Sequence, residues 1–198
     1  MPFSVLTALM AFCLVSTITP GPNNLMVMAS GVNFGYRRTL PHMVGIALGF
    51  GVMVLLVGLG MMQVFEVFPA VRTALTLGCV VYLLYLAWKV ANAAPPKGAA
   101  QEGARPISFL QAAGFQWVNP KAWSMALTAI TLYAPDRAVL SVAIIAACFA
   151  AVCLPCLSLW VVVGQQVQRL LRNPARLRAF NWTMAILLVL SLYPVFLN

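Results

Sequence analysis

The sequence predicts an all-α polytopic membrane protein with six transmembrane helices, arranged as two inverted three-helix repeats. Three observations predict this fold: an apolar composition, charges that lie between apolar stretches, and two apolar stretches that are interrupted near their centres. Of the 198 residues, 63% are hydrophobic and only 8% are charged, and the mean hydropathy is +0.94. A soluble domain has roughly a quarter of its residues charged. This chain therefore has too little polar surface to cover a soluble protein.

Six apolar stretches are each long enough to cross a bilayer, which requires about 20 residues in a helix. They cover 3–29 (or to 34, beyond an internal break), 43–63, 73–92, 107–133, 138–163 and 180–197. The segments between them are too short for another domain. The chain 1–198 is thus predicted to be one transmembrane domain, with halves 1–93 and 107–198 joined by a loop at 94–106.

The basic residues are distributed unevenly over the five predicted loops. Of the 12 Lys and Arg, Arg72 and Arg137 lie in the second and fourth loops, and Lys121 lies within a span. The other nine flank the first loop (Arg37, Arg38), the third (Lys89, Lys97, Arg105) and the fifth (Arg169, Arg172, Arg176, Arg178). Because cytoplasmic loops are enriched in Lys and Arg, loops one, three and five are predicted to be cytoplasmic and both termini outside. The net charge of +9 then faces anionic lipid. The lipid bilayer is an expected partner, and nucleic acid is not.

Two apolar stretches carry a break near the centre. Pro20-Gly21-Pro22-Asn23-Asn24 interrupts the first, and Gln116-Trp117-Val118-Asn119-Pro120-Lys121 interrupts the fourth. Proline removes backbone donors, and the freed groups are tolerated at membrane depth only inside protein or beside a wet cavity. Three spans per half force opposite topologies, and interrupted helices at corresponding places of inverted halves indicate a transporter's binding site.

The residues at the breaks suit a zwitterionic ligand. Asn119 and Pro120 are typical of a helix N-cap and first position, so a half-helix N-terminus with free amides is expected there, and likewise after Pro22. Such ends attract carboxylates, Lys121 adds a positive charge, and the carbonyls freed before the prolines suit an ammonium group. The predicted substrate-binding residues are Pro20, Gly21, Pro22, Asn23, Asn24, Gln116, Asn119, Pro120 and Lys121. In the alternative interpretation, Lys121 extends towards the cytoplasmic surface and the prolines only shape the helix bundle.

The other titratable residues do not suggest catalysis. The three acidic residues, Glu66, Glu102 and Asp136, all fall in predicted loops. Arg37 and Arg38 are expected to fix topology or gate the cytoplasmic opening. His42, the only histidine, is expected at the cytoplasmic end of the second span, as an interfacial anchor or as a group that titrates near neutrality. No catalytic set, metal site or cofactor is predicted, and the chain is not expected to be an enzyme.

Glycines recur at four-residue spacing in the first half. The pairs are Gly31 with Gly35, and Gly45 with Gly49, and Gly51 follows on the same span. This spacing predicts close approach of neighbouring helix backbones.

The cysteines leave two alternatives to an organic-solute exporter open. All five lie in apolar stretches, and Cys153-Leu154-Pro155-Cys156 has the C-x-x-C spacing of a thiol-disulfide electron carrier. A cation exporter on the same scaffold would need acidic or thiol ligands at the depth of the breaks. Only Cys13 and the Cys153/Cys156 pair approach that depth.

A family resemblance adds to this interpretation. Thr19-Pro20-Gly21-Pro22-Asn23, followed by Gly31, Gly35, Arg37, Gly45 and Gly49, resembles the signature of the LysE/RhtB exporters. Tyr85-Leu86-Ala87-Trp88-Lys89 and Asn119-Pro120-Lys121-Ala122 extend the similarity. The resemblance implies a six-span exporter of amino acids or close derivatives in the bacterial inner membrane, powered by the proton gradient. The tracts 106–109 and 115–119 look closest to the cysteine and O-acetylserine branch. The oligomeric state is left open.

Overall fold

The described part of the computed structural model comprises residues 1–61, 69–93, 105–135, 137–171 and 173–191. Within these ranges the regular structure is entirely helical. It consists of α1 (Phe3–Ile18), α2 (Pro22–Leu56) continued by a π-helical turn (Val57–Met61), α3 (Pro69–Ala91), α4 (Phe109–Gln116), α5 (Pro120–Tyr133), α6 (Val139–Leu170) and α7 (Pro174–Leu190). The predicted all-α class is confirmed for these residues. The predictions for Glu66, Lys97, Glu102, Asp136, Arg172 and the end of the last span lie outside the described residues.

Both predicted helix breaks are present. The first separates α1 from α2, with Pro22 in the first turn of α2 and Gly21 extended before it. The second separates α4 from α5, where Asn119 caps the helix by accepting from the backbone N–H of Lys121 at 3.1 Å. The predicted cap and first position of α5 are therefore confirmed, and they follow from the local chemistry of Asn-Pro.

The chain turns back at Gly35 within α2. This residue has φ 77° and ψ 173°, a conformation that is essentially restricted to glycine. The hydroxyl oxygens of Ser30 and Thr39 lie 2.8 Å apart, although the two residues are nine positions apart in the sequence. A straight helix would place them about 13.5 Å apart along its axis. We refer to residues 22–34 as α2a and to residues 36–56 as α2b.

The turn at Gly35 corrects two expectations. The first loop was expected to carry Arg37 and Arg38, but both residues are helical and exposed on α2b, because one glycine makes the whole turn. Gly35 was expected to serve close packing, but its role is conformational. The first apolar stretch was expected to end at 29 or at 34, and α2a ends at 34.

The start of α7 also differs from its predicted position. Helix α7 begins at Pro174 rather than at 180, because Asn173 accepts from the backbone N–H of Ala175 at 2.8 Å and Pro174 occupies the first turn. Arg176 and Arg178, expected in the fifth loop, are therefore helical. Hydropathy measures the apolar core of a span, whereas the helix itself starts at its cap.

By length and composition alone, two continuous segments of the described chain can cross a membrane: 22–60 and 139–168. The first contains the Gly35 turn, so it is not one straight helix. The two interrupted stretches divide into shorter helices, α1 with α2a and α4 with α5. The described residues are consistent with a helical membrane protein.

Helix α2 is the centre of the packing. It packs most extensively against α6 and next against α4, while α3 packs against α7 and α1 against α6. The buried residues form two apolar clusters. One contains Met26, Met43, Leu86, Phe115 and Leu157, and the other contains Leu9, Phe50, Met53, Ile145 and Phe149.

Three of the glycines do bring backbones close together. A Cβ atom on Gly31 would lie 2.6 Å from the carbonyl oxygen of Val161 on α6, and one on Gly49 would lie 2.5 Å from the Cα of Ala113 on α4. Gly45 likewise packs on the carbonyl of Phe109. Among the described residues, nothing lies within 4 Å of a Cβ added to Gly51. The packing prediction is confirmed for Gly31, Gly45 and Gly49 and is wrong for Gly51.

Replacing Gly31 with alanine is expected to destabilise the protein by roughly 1–3 kcal/mol, because its added methyl meets rigid backbone. Gly51→Ala, in α2b, is the matched control, because its added methyl meets no atom among the described residues. This variant should have an unchanged or slightly higher free energy of unfolding. Thermal unfolding of the two purified variants measures the difference. Equal melting temperatures would contradict the close contact between α2a and α6.

Candidate functional site

The two helix breaks lie side by side, joined by an amide pair. Asn23, in the first turn of α2a, donates from Nδ2 to Oε1 of Gln116 at 2.8 Å. Gln116, at the end of α4, donates from Nε2 to Oδ1 of Asn23 at 3.2 Å and to the carbonyl of Ala112 at 2.8 Å. Gln116 is completely buried. The structure thus brings together two predicted site residues that are 93 positions apart.

Lys121 makes the second connection between the breaks. Its Nζ donates to the carbonyl oxygen of Thr19 at 2.6 Å, to the hydroxyl oxygen of Thr19 at 2.9 Å and to the carbonyl oxygen of Pro20 at 3.3 Å. Asn23 follows Pro22 and Lys121 follows Pro120, so each half-helix uses its second residue to reach the opposite break. This arrangement is the one expected of two related halves.

The position of Lys121 corrects two expectations. The ammonium group is held by the first break, so the alternative in which Lys121 extends to the cytoplasmic surface is wrong. The carbonyl of Thr19, which lies directly before Pro20 and was expected to suit a ligand's ammonium group, already accepts a hydrogen bond from Lys121, as does the carbonyl of Pro20. A lysine supplies three N–H donors, and three acceptors are present here.

The other polar residues of the breaks satisfy backbone groups. Asn24, which is buried, donates to the carbonyls of Thr17 at 2.8 Å and Thr19 at 2.7 Å. Trp160 of α6 donates from its indole nitrogen to the carbonyl of Ile18 at 3.1 Å. The last carbonyls of a helix have no intrahelical partner, and here side chains from other positions supply one.

Gly21 leaves room for the lysine side chain. Its backbone is extended, which any residue tolerates, but a Cβ there would lie 2.6 Å from Cδ and 3.1 Å from Nζ of Lys121. Pro20, Pro22 and Pro120 border the same region and end or begin the helices. The prolines therefore create the breaks, and Gly21 admits Lys121 between them.

A small cavity lies beside the joined breaks. It measures about 30 Å³, which is enough room for ordered water. Its lining combines both breaks with α2b and α6: Ser16, Thr17, Gly21, Asn23, Asn24, Ile46, Phe50, Gln116, Asn119, Lys121, Ala122, Met125, Cys153 and Leu157. Six of the nine predicted site residues line it, and the three prolines do not.

Sequence reasoning missed Thr17 and Thr19. Thr17 lines the cavity and is 8% exposed, and its hydroxyl oxygen has no hydrogen-bond partner among the described residues. Buried hydroxyls are nearly always paired, so this one points to a ligand or water. The available indication was a hydroxyl-bearing residue directly before a Pro-Gly-Pro break, where freed carbonyls and side-chain oxygens come together.

The residues predicted for gating lie elsewhere. Arg37 and Arg38 are exposed on α2b, and the guanidinium carbon of Arg38 lies 5.3 Å from the ring centre of Phe34. His42 is completely buried, and neither ring nitrogen has a hydrogen-bond partner among the described residues. The expectation that His42 is an interfacial anchor is therefore wrong.

A second cavity of about 180 Å³ lies between the end of α2a, the end of α3 and the approach to α4. Its polar lining residues are Ser30, Asn33, Lys89, Asn92 and Arg105. Lys89 donates to the carbonyl of Pro106 at 3.3 Å and to Oε1 of Gln111 at 3.2 Å. Lys89 and Arg105 give this cavity a positive charge. It lies at the helix ends that the sequence predicts to face loops one and three.

The cysteines of the C-x-x-C sequence face different surroundings. Cys153 borders the small cavity and belongs to the cluster around Met26, whereas Cys156 packs in the cluster around Phe149. Both are buried free thiols. Within the described ranges, no three His, Cys, Asp or Glu side chains come together as metal ligands.

Comparison with known proteins decides the family. The sequence matches the model of the LysE type translocators over residues 14–191, a range that contains both breaks. The chain belongs to the LysE type translocator family. The family resemblance inferred from the sequence is thereby confirmed, and the broken helices described above are those of a translocator.

Several relatives of this LysE type translocator align with it over nearly its whole length. The cysteine/O-acetylserine efflux proteins of Escherichia coli strain K12 and Shigella sonnei are each 30% identical to it over 98% of both chains. The protein of that name from Salmonella typhimurium is 30% identical over 97% of both chains. No solved structure matches the chain at a significant level.

Proposed function

We propose that this protein exports amino acids or close derivatives from the cytoplasm, using the joined helix breaks as its substrate site. The observation that carries the proposal is the pairing of the breaks, Asn23 with Gln116 and Lys121 with Thr19. They lie beside a cavity lined by Thr17, whose hydroxyl has no partner among the described residues. These groups offer donors, acceptors and one positive charge to a small zwitterion. Membership of a translocator family and relatives named for amino-acid efflux support it.

The proposed substrates are small and neutral, of the class of cysteine and O-acetylserine. The relatives that bear this name align over nearly their whole length. The cavity is lined on its apolar side by Met125, Leu157 and Cys153, which suit a short, uncharged side chain. Its volume of about 30 Å³ is far below the several hundred Å³ of a typical ligand site, so the cavity must widen to admit a substrate.

We propose six membrane spans in two inverted halves, with both termini outside and the protein in the bacterial inner membrane. The support comes from the sequence distribution of Lys and Arg and from the reciprocal contacts of the second residues of α2a and α5. In this arrangement, the joined breaks lie near the middle of the bilayer. The exposed Arg37 and Arg38 lie at the cytoplasmic end, as the positive-inside rule requires.

We further propose that the proton gradient drives export, as the resemblance to the exporter family implies. Movement of the half-helices would open the site alternately to the cytoplasm and to the outside, while the site itself stays near the middle of the membrane. Protons are then the coupling ion, and no cofactor takes part.

Efflux from preloaded cells tests this proposal. Cells that contain the protein are loaded with one radiolabelled amino acid at a time, and the initial loss of label is compared with that from cells lacking it, with and without a protonophore. We expect faster loss of cysteine, O-acetylserine or another small neutral amino acid, and we expect the protonophore to abolish the difference. Equal loss of every amino acid, with the protein demonstrably in the membrane, would contradict the proposed function.

A further inference from the structure

The ammonium group of Lys121 lies in a site with the properties of an ammonium receptor. We call its three acceptors the Thr19 cradle: the carbonyl and hydroxyl oxygens of Thr19 and the carbonyl oxygen of Pro20, at 2.6, 2.9 and 3.3 Å from Nζ. The hydroxyl of Thr19 donates to the carbonyl of Ser16 at 2.9 Å, so its lone pairs face Lys121. All three acceptors therefore face a single cationic donor.

The cradle exists because the helix is broken, and it is available to a second cation. Pro22 has no backbone N–H, so it cannot donate a hydrogen bond to a carbonyl of the preceding turn. The first backbone hydrogen bond of α2 runs from the N–H of Leu25 to the carbonyl of Gly21. Thr19 and Pro20 are exposed and Lys121 is only half-buried, so the cradle is open on one side. Lys121 itself lines the small cavity, together with Thr17, whose hydroxyl has no partner among the described residues.

We propose that the Thr19 cradle binds the primary ammonium group of the exported amino acid, and that Lys121 is a tethered occupant that holds the cradle when no substrate is bound. The inference rests on the proposed export function and adds to it the position of the ammonium group. A substrate ammonium displaces a chemically similar one, so the cradle keeps its hydrogen bonds throughout. The released lysine then pairs with the substrate's carboxylate, which is attached to the same carbon as the ammonium group.

The net charge of the occupied site determines which class of amino acid it favours. Lys121 gives the empty site one positive charge, and a neutral zwitterion inserted between Lys121 and the cradle leaves that charge at one. A basic amino acid would raise it to two in a low-dielectric environment, where like charges repel strongly. Neutral amino acids are therefore favoured over lysine or arginine by this site.

Displacement of Lys121 also releases one connection between the two halves. In the described conformation, Lys121 joins α5 to the end of α1, and Asn23 with Gln116 is the other connection between the breaks. Binding of the substrate replaces the first connection by one that runs through the ligand. The change of access between the two sides is thereby coupled to occupancy of the site.

The test measures ammonium binding directly, on purified protein and without transport. Lys121→Met removes the tethered occupant and leaves the cradle empty. We expect ethylammonium chloride to raise the melting temperature of this variant by about 3–6 °C at about tenfold above its Kd. The unmodified protein, whose cradle is filled, should need at least about tenfold more ethylammonium for the same rise.

Three controls make the result specific. Tetraethylammonium has no N–H donor and should not stabilise Lys121→Met. Lys89→Met removes another half-buried lysine that donates to a backbone carbonyl, that of Pro106, but leaves the cradle filled, so it should behave as the unmodified protein does. Gly21→Ala keeps the lysine but places a Cβ 2.6 Å from its Cδ, and it should gain ethylammonium stabilisation as Lys121→Met does.

The outcomes separate this inference from the proposed function. No stabilisation of Lys121→Met or Gly21→Ala by ethylammonium overturns the cradle, even if efflux of amino acids is observed. Equal stabilisation of all variants also overturns it, because the effect is then not local. Selective stabilisation of the two variants supports the cradle even if the efflux assay finds no amino acid, and in that case only the proposed cargo is wrong. If Lys121→Met does not survive extraction, Gly21→Ala carries the test.

Discussion

Replacing Lys121 with alanine is expected to lower the initial rate of amino-acid efflux by at least about tenfold, with nearly normal amounts of protein in the membrane. The ammonium group makes three hydrogen bonds across the breaks, and hydrogen bonds to charged groups contribute about 1.5–3 kcal/mol each. Alanine removes both the occupant of the cradle and the charge that pairs with a carboxylate. Efflux is measured from preloaded cells and normalised to the membrane protein level.

Two further variants show whether charge or geometry matters. Lys121→Arg keeps the positive charge, but its planar guanidinium cannot direct three N–H groups at three converging oxygens as an ammonium does, so little recovery is expected. Lys89→Ala also removes a lysine that donates to a backbone carbonyl, but it contacts neither break and should have the smaller effect on efflux. Full efflux by Lys121→Ala would exclude a role for this residue in binding the substrate.

The break positions were predictable because their chemistry is local. Proline lacks an N–H and restricts the residue before it, so Pro20-Gly21-Pro22 and Asn119-Pro120 favour helix boundaries. The cap at Asn119 follows for the same reason. The isolated Pro41 and Pro155, in contrast, lie inside α2b and α6. Two breaks in corresponding places of two halves then made a shared site a reasonable hypothesis, and the structure does bring Asn23, Gln116 and Lys121 together.

The partners of these residues were not predictable from the sequence. Lys121 and Thr19 are 102 positions apart, and only the packing of α1 beside α5 decides that the lysine donates to the carbonyls of the other break. The sequence favoured a ligand's carboxylate as the partner of this lysine over the cytoplasmic surface, and nothing in it pointed to carbonyls of the other break. Thr17 was missed because a lone threonine in an apolar helix usually bonds to its own backbone.

Gly35 shows a different limit of sequence reasoning. Glycine permits both a close helix contact and a positive φ, and its spacing from Gly31 favoured the first explanation. The structure assigns packing to Gly31 and the turn to Gly35. Glycine serves both roles, so the sequence alone does not distinguish them, whereas the backbone geometry does. His42 is similar, since its place near a predicted helix end did not reveal that it is completely buried.

The Asn23–Gln116 pair provides the second large expected effect. Asn23→Leu and Gln116→Leu should each lower efflux by about tenfold and destabilise the protein, because each leaves one amide without its partner at a cost of about 1–3 kcal/mol. The double variant removes both partners, so it should be less destabilised than the sum of the two, with a coupling energy of about 0.5–3 kcal/mol. Thermal unfolding of the four proteins measures the coupling.

The same four proteins separate a structural role of the pair from a role in binding. If the pair only holds the breaks together, efflux should follow stability, and the double variant should regain much of what the single variants lose. If the amides also contact substrate, the double variant regains stability but not efflux, since leucine offers no hydrogen bond to a zwitterion. We expect the second result, because both amides line the same cavity as Thr17, whose hydroxyl has no partner among the described residues. Strictly additive stabilities would show instead that the two side chains do not interact.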